Sequence, residues 1–200
     1  MTARLVRPLL AALIAAILVG APYWYHRVQH ARYRNLRVVT PGVLYRCGQL
    51  DPEGFRQVVR THGIRTVVNF RERDGQGDAN HWEEEYCRQN GIQYVRITAR
   101  PWWAEDGPPP AAESVAEFLR VLRDPEAYPR PVLVHCFAGI HRTGAYCAVY
   151  RMEVDRWPPY KALQEMECCG YTNMEGDVRG FLLNYQPSWK QPPEGMPNDP

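Results

Sequence analysis

The chain has 200 residues, 45% of them apolar, which is enough for one ordinary globular domain with appendages and excludes a disordered chain. Its net charge of +2 is the small difference between 24 basic and 22 acidic side chains, which are spread along the chain. This balance, without any basic block, argues against nucleic acid as a partner.

The N-terminal segment is apolar. Residues 1–7 form a short basic N-terminus, and residues 8–25 carry no charge. As a helix, the second stretch spans about 27 Å, close to the roughly 30 Å hydrocarbon core of a bilayer. The small residues 19–21 allow a cleaved signal segment as the alternative, but Pro22 and the aromatic residues 23–25 favour an uncleaved transmembrane anchor.

The segment that follows, residues 26–38, is basic and polar and is predicted to be a juxtamembrane linker. The arginines near the two ends of the anchor slightly favour a cytoplasmic location for the rest of the chain by the positive-inside rule. They are Arg4 and Arg7 on one side and Arg27, Arg32, Arg34 and Arg37 on the other. We therefore expect a single-pass membrane protein.

Strand and helix patterns alternate over residues 39–186, which we interpret as the folded domain. Asp51 and Pro52 open a helix that Gly63 ends. Strands are predicted at 43–49, 64–70, 92–98 and 129–135, and helices at 51–63, 80–91, 111–123, 143–155, 158–170 and 177–186. Strands separated by helices predict an α/β fold with a central, mostly parallel sheet flanked by helices. The proline-rich residues 187–200 are predicted to be disordered.

Six cysteines raise the question of a disulfide framework. The chain is long enough to build a core without disulfides, and the cysteine spacings do not repeat. Cys87 and Cys147 lie within helical patterns and are predicted to be packing residues. Cys47 is predicted to be a small turn residue.

The stretch VLVHCFAGIHRTGAY, residues 132–146, joins a buried strand to a helix through His135 and Cys136. A tight loop there can turn its N–H groups inward and bind an anion, which also favours a thiolate at Cys136. Gly139 allows the curl, and Gly144 allows the helix to approach its neighbours. The loop residues that would bind phosphate are Phe137, Ala138, Gly139, Ile140, His141 and Arg142. Arg142 would do so through its planar guanidinium group, which can donate two parallel hydrogen bonds.

The sequence HCFAGIHRTG resembles the His-Cys-x5-Arg-Thr-Gly signature of cysteine-dependent protein tyrosine phosphatases, in particular the compact dual-specificity group, and the similarity covers about residues 40–185. The resemblance implies a tyrosine-phosphatase-like fold and a phosphocysteine intermediate without metal or cofactor. It makes Cys136 the nucleophile and Arg142 the phosphate-binding residue. Thr143 would aid thiolate formation or turnover, and His135 would orient the loop from beneath. In the resembling fold Cys47 ends a strand near this loop, which implies a protective disulfide with Cys136 under oxidation as the alternative for Cys47.

The general acid is not part of that signature. In the resembling family an aspartate on a loop after an earlier strand has this role, and residues 102–107, WWAEDG, form the matching loop. We predict Asp106 as the acid, with Glu105 and then Asp74 as alternatives. The two tryptophans of this loop are predicted to exclude water.

The substrate is predicted to be a phosphorylated protein, and a small phosphate ester is the alternative. In the resembling family, members that prefer highly charged substrates often carry a lysine at the position of Ile140, which is followed here by His141. The resemblance therefore makes a phosphoinositide or an inositol phosphate a weaker candidate for the substrate. Two other classes remain open: a rhodanese-like sulfurtransferase and a non-catalytic phosphate-binding module. A zinc site at His135, Cys136 and His141 lacks a fourth ligand with suitable spacing.

Overall fold

The computed structural model describes residues 3–72, 81–174 and 176–190, with side chains described from residue 13 onward. The structure contains one sheet of five strands, β1 (Arg37–Thr40), β2 (Leu44–Cys47), β3 (Thr66–Asn69), β4 (Gln93–Arg96) and β5 (Val132–His135). Their order in the sheet is β1-β2-β5-β3-β4. The outer strand β1 pairs antiparallel with β2, and all the other pairs are parallel. The predicted α/β architecture with a mostly parallel central sheet is therefore confirmed.

The helices are α1 (Ala3–Tyr33), α2 (Pro52–His62), α3 (His81–Gln89), α4 (Ala111–Arg123), α5 (His141–Glu153), α6 (Pro159–Cys168) and α7 (Gly176–Asn184). A short 3₁₀ helix covers Ser188–Lys190.

The central strand β5 buries side chains on both faces of the sheet. Val132 and Val134 pack into a core with residues of α4, α5, α6 and α7, whereas Leu133 packs on the other face with residues of α2 and α3. All three side chains are fully buried, which explains the continuous apolar run in the sequence. Because β5 has strands on both sides, its carboxyl end lies at the middle of the sheet edge, where α/β folds place their sites.

Helix α2 shows how local sequence defines an element. The Asp51 side chain accepts a hydrogen bond from the Gly54 amide at 2.6 Å, Pro52 follows at the first helical position, and Gly63 adopts a left-handed conformation at the end. These are the predicted cap, start and stop. Cys87 and Cys147 are also confirmed as fully buried core residues.

The N-terminal helix α1 is longer than predicted, because it continues to Tyr33 through most of the supposed linker at residues 26–38. Its last turn packs on α2, where the Asp51 amide donates to the Ala31 carbonyl at 3.0 Å, and β1 already begins at Arg37. Most of the polar segment at 26–38 is thus helical, and its role as a juxtamembrane linker stays a prediction. The polar residues after 25 include good helix formers and no glycine or proline, so nothing local ends the helix there.

Within the residues that the structure describes, no helix is long and apolar enough to cross a membrane. The predicted anchor at residues 8–25 begins among residues whose side chains lie outside that description. From Leu13 to Tyr25 the side chains of α1 are exposed, including Ile17, Leu18 and Trp24.

The ordered chain also extends beyond the predicted boundary at residue 186. The Trp189 indole donates to the Met152 carbonyl at 3.0 Å, and the Ser188 hydroxyl donates to the Glu153 carboxylate at 2.6 Å. Disorder was therefore the wrong prediction for 188–190, because these contacts fix the segment against the end of α5. Residues 191–200 lie outside the described residues.

Candidate active site

Cys136 directly follows β5, in the loop that leads into α5. Its side chain is almost fully buried, with 4% exposed, and its Sγ accepts a hydrogen bond from the Gly139 amide at 3.3 Å. The helix begins at His141, close to the predicted position. The loop thus curls around the sulfur with an N–H group directed at it, as the sequence predicted.

The carbonyl groups of this loop are held from outside by three different parts of the chain. The Phe137 carbonyl accepts a hydrogen bond from the backbone N–H of Gln49 at 2.9 Å, and the Ala138 carbonyl accepts one from the side-chain Nδ2 of Asn35 at 2.8 Å. Arg46 Nη2 donates to the Gly139 carbonyl at 2.8 Å. In a planar trans peptide the C=O and the next N–H point in opposite directions. Holding these carbonyls outward therefore turns the amides of residues 138–140 inward.

Gly139 is the residue that this geometry requires. Its φ is +73°, which favours glycine, and a Cβ built on it would lie 2.4 Å from the Cys47 carbonyl carbon and from the Gly48 amide nitrogen. A side chain at this position would collide with the main chain at the end of β2. The parallel pairing of β2 with β5 therefore sets how closely the loop is packed.

Arg142 lies in the first turn of α5 with its side chain half-exposed. Its Nη1 donates to the Phe70 carbonyl at 3.2 Å, and its Nη2 lies 3.8 Å from Glu72 Oε1. Phe70 is itself fixed, since its ring stacks on Tyr146 of α5 with centroids 4.0 Å apart. One side of the guanidinium is thus anchored at the end of β3, which restricts how it can turn.

His135, which was predicted to orient the loop from beneath, contacts Glu83 of α3 in the structure. Its Nε2 lies 2.9 Å from Glu83 Oε1, both side chains are 1% exposed, and neither ring nitrogen hydrogen-bonds to the loop. The contact joins β5 to α3. Hydrogen bonds to the loop carbonyls come instead from Arg46, Asn35 and the Gln49 backbone amide, and the role of His135 beneath the loop stays a prediction.

Thr143 and Gly144 both lie in the first turn of α5, as predicted. The Thr143 hydroxyl is fully buried and has no hydrogen-bond partner among the residues that the structure describes. A Cβ on Gly144 would lie 3.4 Å from the Arg46 Nη2 that binds the loop. The absence of a side chain at Gly144 thus leaves room for Arg46 beside the helix.

Asp106 and Glu105 lie on the exposed loop between β4 and α4. Trp102 of that loop is buried against Tyr146 and Phe181, whereas Trp103 is 63% exposed. Trp102 is therefore a core anchor for the loop, contrary to the prediction that both tryptophans exclude water from the site. A cavity of about 840 Å³ lies beside it, and Cys136 is not among its lining residues. Asp74, the third candidate acid, lies outside the described residues.

Two arginines from outside the loop flank its first residue. The guanidinium carbon of Arg34 lies 4.3 Å from the centroid of the Phe137 ring, and that of Arg71 lies 5.5 Å from it. Phe137 is 59% exposed. The rim of the loop is therefore more basic than the loop sequence alone indicates. In the described residues, no group of three His, Cys, Asp or Glu side chains is arranged to hold a metal ion.

Comparison with known proteins identifies this arrangement. The family described as "DSP-PTPase phosphatase fused to NAD+ Kinase" matches residues 24–178. The chain belongs to the dual-specificity protein tyrosine phosphatases. It is 32% identical over 186 residues to the dual specificity protein phosphatase TpbA of Pseudomonas aeruginosa, which covers 86% of this chain and 76% of that protein. It is thus a cysteine-dependent hydrolase, as predicted, and the sulfurtransferase alternative is not supported.

Solved structures agree with this assignment. The crystal structure of P. aeruginosa TpbA has 25% sequence identity and a TM-score of 0.56, with 76% of this chain and 85% of that chain covered. The core catalytic domain of the PP-IP phosphatase SIW14 from S. cerevisiae has 17% identity and a TM-score of 0.60, with 76% and 85% covered. The similarity to SIW14, at 17% identity, is evidence for the fold alone.

Three buried cysteines of this dual-specificity phosphatase, Cys47, Cys87 and Cys147, lie in surroundings that suppress ionisation. Burial, with a smaller effect from Glu83 and then Cys136, raises the pKa of the Cys47 thiol well above its usual range. Burial raises the pKa of Cys87 to about 12 and that of Cys147 to about 11. A raised pKa keeps a thiol protonated at neutral pH, and the thiolate is the reactive form.

We therefore expect iodoacetamide at pH 7 to modify Cys136 and the exposed Cys168, and to leave Cys47, Cys87 and Cys147 unmodified. Peptide mass spectrometry after a short reaction measures this pattern. Modification of Cys47 as fast as Cys136 would contradict the assignment of Cys47 as a protonated structural residue.

Sequence reasoning missed Arg46, Asn35, Gln49 and Glu83. Arg46 is charged, yet only 2% of it is exposed, in a strand whose other side chains are apolar or small. A charged residue inside a buried strand pattern could have indicated a structural role for Arg46, since buried charges almost always have a partner. The other three gave no local signal, because their partners lie far away in the sequence.

Proposed function

We propose that this dual-specificity phosphatase hydrolyses phosphate monoesters on proteins, with Cys136 as the nucleophile and Arg142 as the phosphate-binding residue. The observation that carries the proposal is the loop around Cys136, whose carbonyls are held outward and whose Gly139 amide donates to the sulfur. Such a loop binds the equatorial oxygens of a phosphoryl group directly over the nucleophile.

The reaction proceeds in two displacements. The Cys136 thiolate attacks phosphorus, an S–P bond forms, and the P–O bond to the leaving group breaks while a general acid protonates the leaving oxygen. Water then attacks phosphorus, the S–P bond breaks, and the same acid, now a base, accepts the proton of the water. Inorganic phosphate leaves and the thiolate is regenerated. The inward amides and Arg142 stabilise the charge on the phosphoryl oxygens in both steps.

We assign Asp106 as the general acid, because its loop follows β4 and is anchored by Trp102 to Tyr146 of α5. Asp106→Asn is expected to slow hydrolysis of alkyl and poor phenolic phosphates by about 10²-fold or more, because these leaving groups need a proton. Esters with very good leaving groups are expected to react at nearly the wild-type rate. Steady-state kinetics on the two ester types measures the difference.

Glu105→Gln is the matched control, since Glu105 is an exposed carboxylate on the same loop. Equal loss on both ester types in Asp106→Asn would indicate damaged binding or folding. A loss confined to Glu105→Gln would move the role to Glu105, and no loss in either variant would move it to Asp74.

For the substrate we propose phosphotyrosine and phosphoserine or phosphothreonine in proteins. The relative TpbA is named a dual specificity protein phosphatase, and a TpbA structure has been solved in complex with pTyr. The basic rim formed by Arg34 and Arg71 supports a second candidate, a phosphoinositide or inositol phosphate, whose further phosphates these guanidinium groups would attract.

The test is kcat/KM on phosphopeptides, phosphoinositides and inositol phosphates, with chelator present. Highest values on phosphopeptides support the first substrate class. Values at least about tenfold higher on a polyphosphorylated lipid or inositol would replace it with the second. No hydrolysis of any ester by the wild-type chain would contradict the proposed function.

We also propose that the apolar N-terminal part of α1 anchors the phosphatase in the membrane, with the catalytic domain on the cytoplasmic side. Its support is the charge-free stretch at 8–25 and the exposed apolar side chains from Leu13 to Tyr25. Full-length protein should sediment with membranes and resist carbonate extraction, and its catalytic domain should be protected from protease added outside the cell. Release by carbonate would contradict the anchor.

A further inference from the structure

A residue just after the end of α1 touches the phosphate loop, which is the loop around Cys136 at residues 136–142. Asn35 follows the last turn of α1, and its Nδ2 donates to the Ala138 carbonyl at 2.8 Å. Its φ is +50°, a left-handed conformation that asparagine tolerates better than most residues. The backbone turn thus directs a short amide side chain from the helix end to a residue 103 positions later in the sequence.

The bond acts on the peptide unit that faces the nucleophile. The Ala138 carbonyl and the Gly139 amide belong to the same planar peptide group, and they point in opposite directions. The carbonyl accepts from Asn35 on the outside, and the amide donates to Cys136 Sγ at 3.3 Å on the inside. Arg46 and the Gln49 amide hold the neighbouring carbonyls, at Gly139 and Phe137. Among these contacts, Asn35 is the donor that fixes the Ala138–Gly139 peptide plane.

The donor itself is rigidly placed. The Arg34 carbonyl accepts from the Gly48 amide at 2.7 Å, and the Ala31 carbonyl accepts from the Asp51 amide at 3.0 Å. A Cβ on Gly48 would lie 2.7 Å from the Ala138 oxygen and 2.9 Å from Arg34 Cδ, so the helix end, the turn after β2 and the loop meet without space for a side chain. Movement of the end of α1 would therefore move the donor.

We propose that Asn35 is a positioning residue for the phosphate loop, so that the C-terminal end of α1 is part of the active site. The proposal rests on the proposed function, in which the loop binds the phosphoryl group above Cys136. Asn35 acts through the loop, by orienting the Gly139 amide toward the sulfur. The segment that leads from the apolar N-terminus thereby also sets the geometry of catalysis.

The test replaces Asn35 in the full chain. Asn35→Gly keeps access to a positive φ and removes the donor, and Asn35→Asp places a carboxylate acceptor against the Ala138 carbonyl. We expect kcat/KM on an aryl phosphate to fall about tenfold in Asn35→Gly and further in Asn35→Asp. The pH profile of Cys136 alkylation by iodoacetamide is expected to move to higher pH in both, because the thiolate loses an oriented N–H donor.

The matched control is Asn90→Gly. Asn90 also lies just after a helix and donates through Nδ2 to a carbonyl at 2.8 Å, but its partner is Tyr86 in its own helix. This variant is expected to keep both the rate and the pH profile of the wild type. A thermal unfolding curve of each variant separates positioning from loss of folding.

Two results would overturn the proposal. One is an Asn35→Gly variant with wild-type kcat/KM and an unchanged alkylation profile. The other is a set of Asn35 variants whose activity falls only in proportion to the folded fraction. The alkylation profile needs no turnover, so it tests Asn35 even if the wild type hydrolysed no phosphate ester, a result that would instead overturn the proposed function.

Discussion

Cys136→Ser is expected to abolish turnover, with a loss of at least about 10⁴-fold in kcat, and to keep the affinity for vanadate or phosphate. Serine fits the same buried position, and its hydroxyl oxygen can accept the hydrogen bond that the Gly139 amide donates to Sγ in the wild type. The loop, its outward carbonyls and Arg142 stay in place, so the anion still binds. A neutral hydroxyl is a far weaker nucleophile than a thiolate, so the S–P bond-forming step has no substitute.

Kinetics on an aryl phosphate and a vanadate titration measure the two effects separately. Cys168→Ser is the control, because Cys168 is an exposed thiol at the end of α6. It should behave as the wild type. Retained turnover in Cys136→Ser would refute covalent catalysis at this residue, and lost vanadate binding would mean that the thiolate is needed to assemble the loop.

Arg142→Lys is expected to lower kcat by about 10²–10³-fold although the charge is kept. The guanidinium can donate to the Phe70 carbonyl with one nitrogen and present the others to two phosphate oxygens, whereas an ammonium is a single point charge. The change should be larger in kcat than in KM, because the guanidinium group fits the planar phosphoryl oxygens of the transition state better than it fits those of the bound ester.

The matched control for this prediction is Arg120→Lys, an exposed arginine on α4 that lies 3.9 Å from Glu117. It should leave both kinetic constants unchanged. A near-normal rate in Arg142→Lys would show that Arg142 is a surface residue at the start of α5 without a role in phosphate binding.

The parts of the fold that the sequence predicts well are those determined by neighbours in the chain. Asp51, Pro52 and Gly63 define α2 through contacts within a few residues, and the apolar run at 132–134 identifies a buried strand. Cys136, Gly139 and Arg142 were found for the same reason, since one short loop contains them all.

The supports of that loop depend on tertiary structure and could not be read locally. Arg46 reaches the Gly139 carbonyl only because β2 lies parallel to β5, with Cys47 paired to His135. Asn35 reaches Ala138 only because α1 continues eight residues past the apolar stretch, to Tyr33, and packs on α2. Glu83 pairs with His135 across the sheet face, and no periodicity relates the two positions.

If the phosphoryl group passes through Cys136, a phosphocysteine intermediate forms in each turnover and can be trapped. The full chain is mixed with an aryl phosphate, quenched in acid within one turnover, digested and analysed by mass spectrometry. We expect phosphate on the peptide that contains Cys136, and its absence in Cys136→Ser. Phosphate on a different residue, or turnover of the wild type with an unmodified Cys136 throughout, would contradict the mechanism.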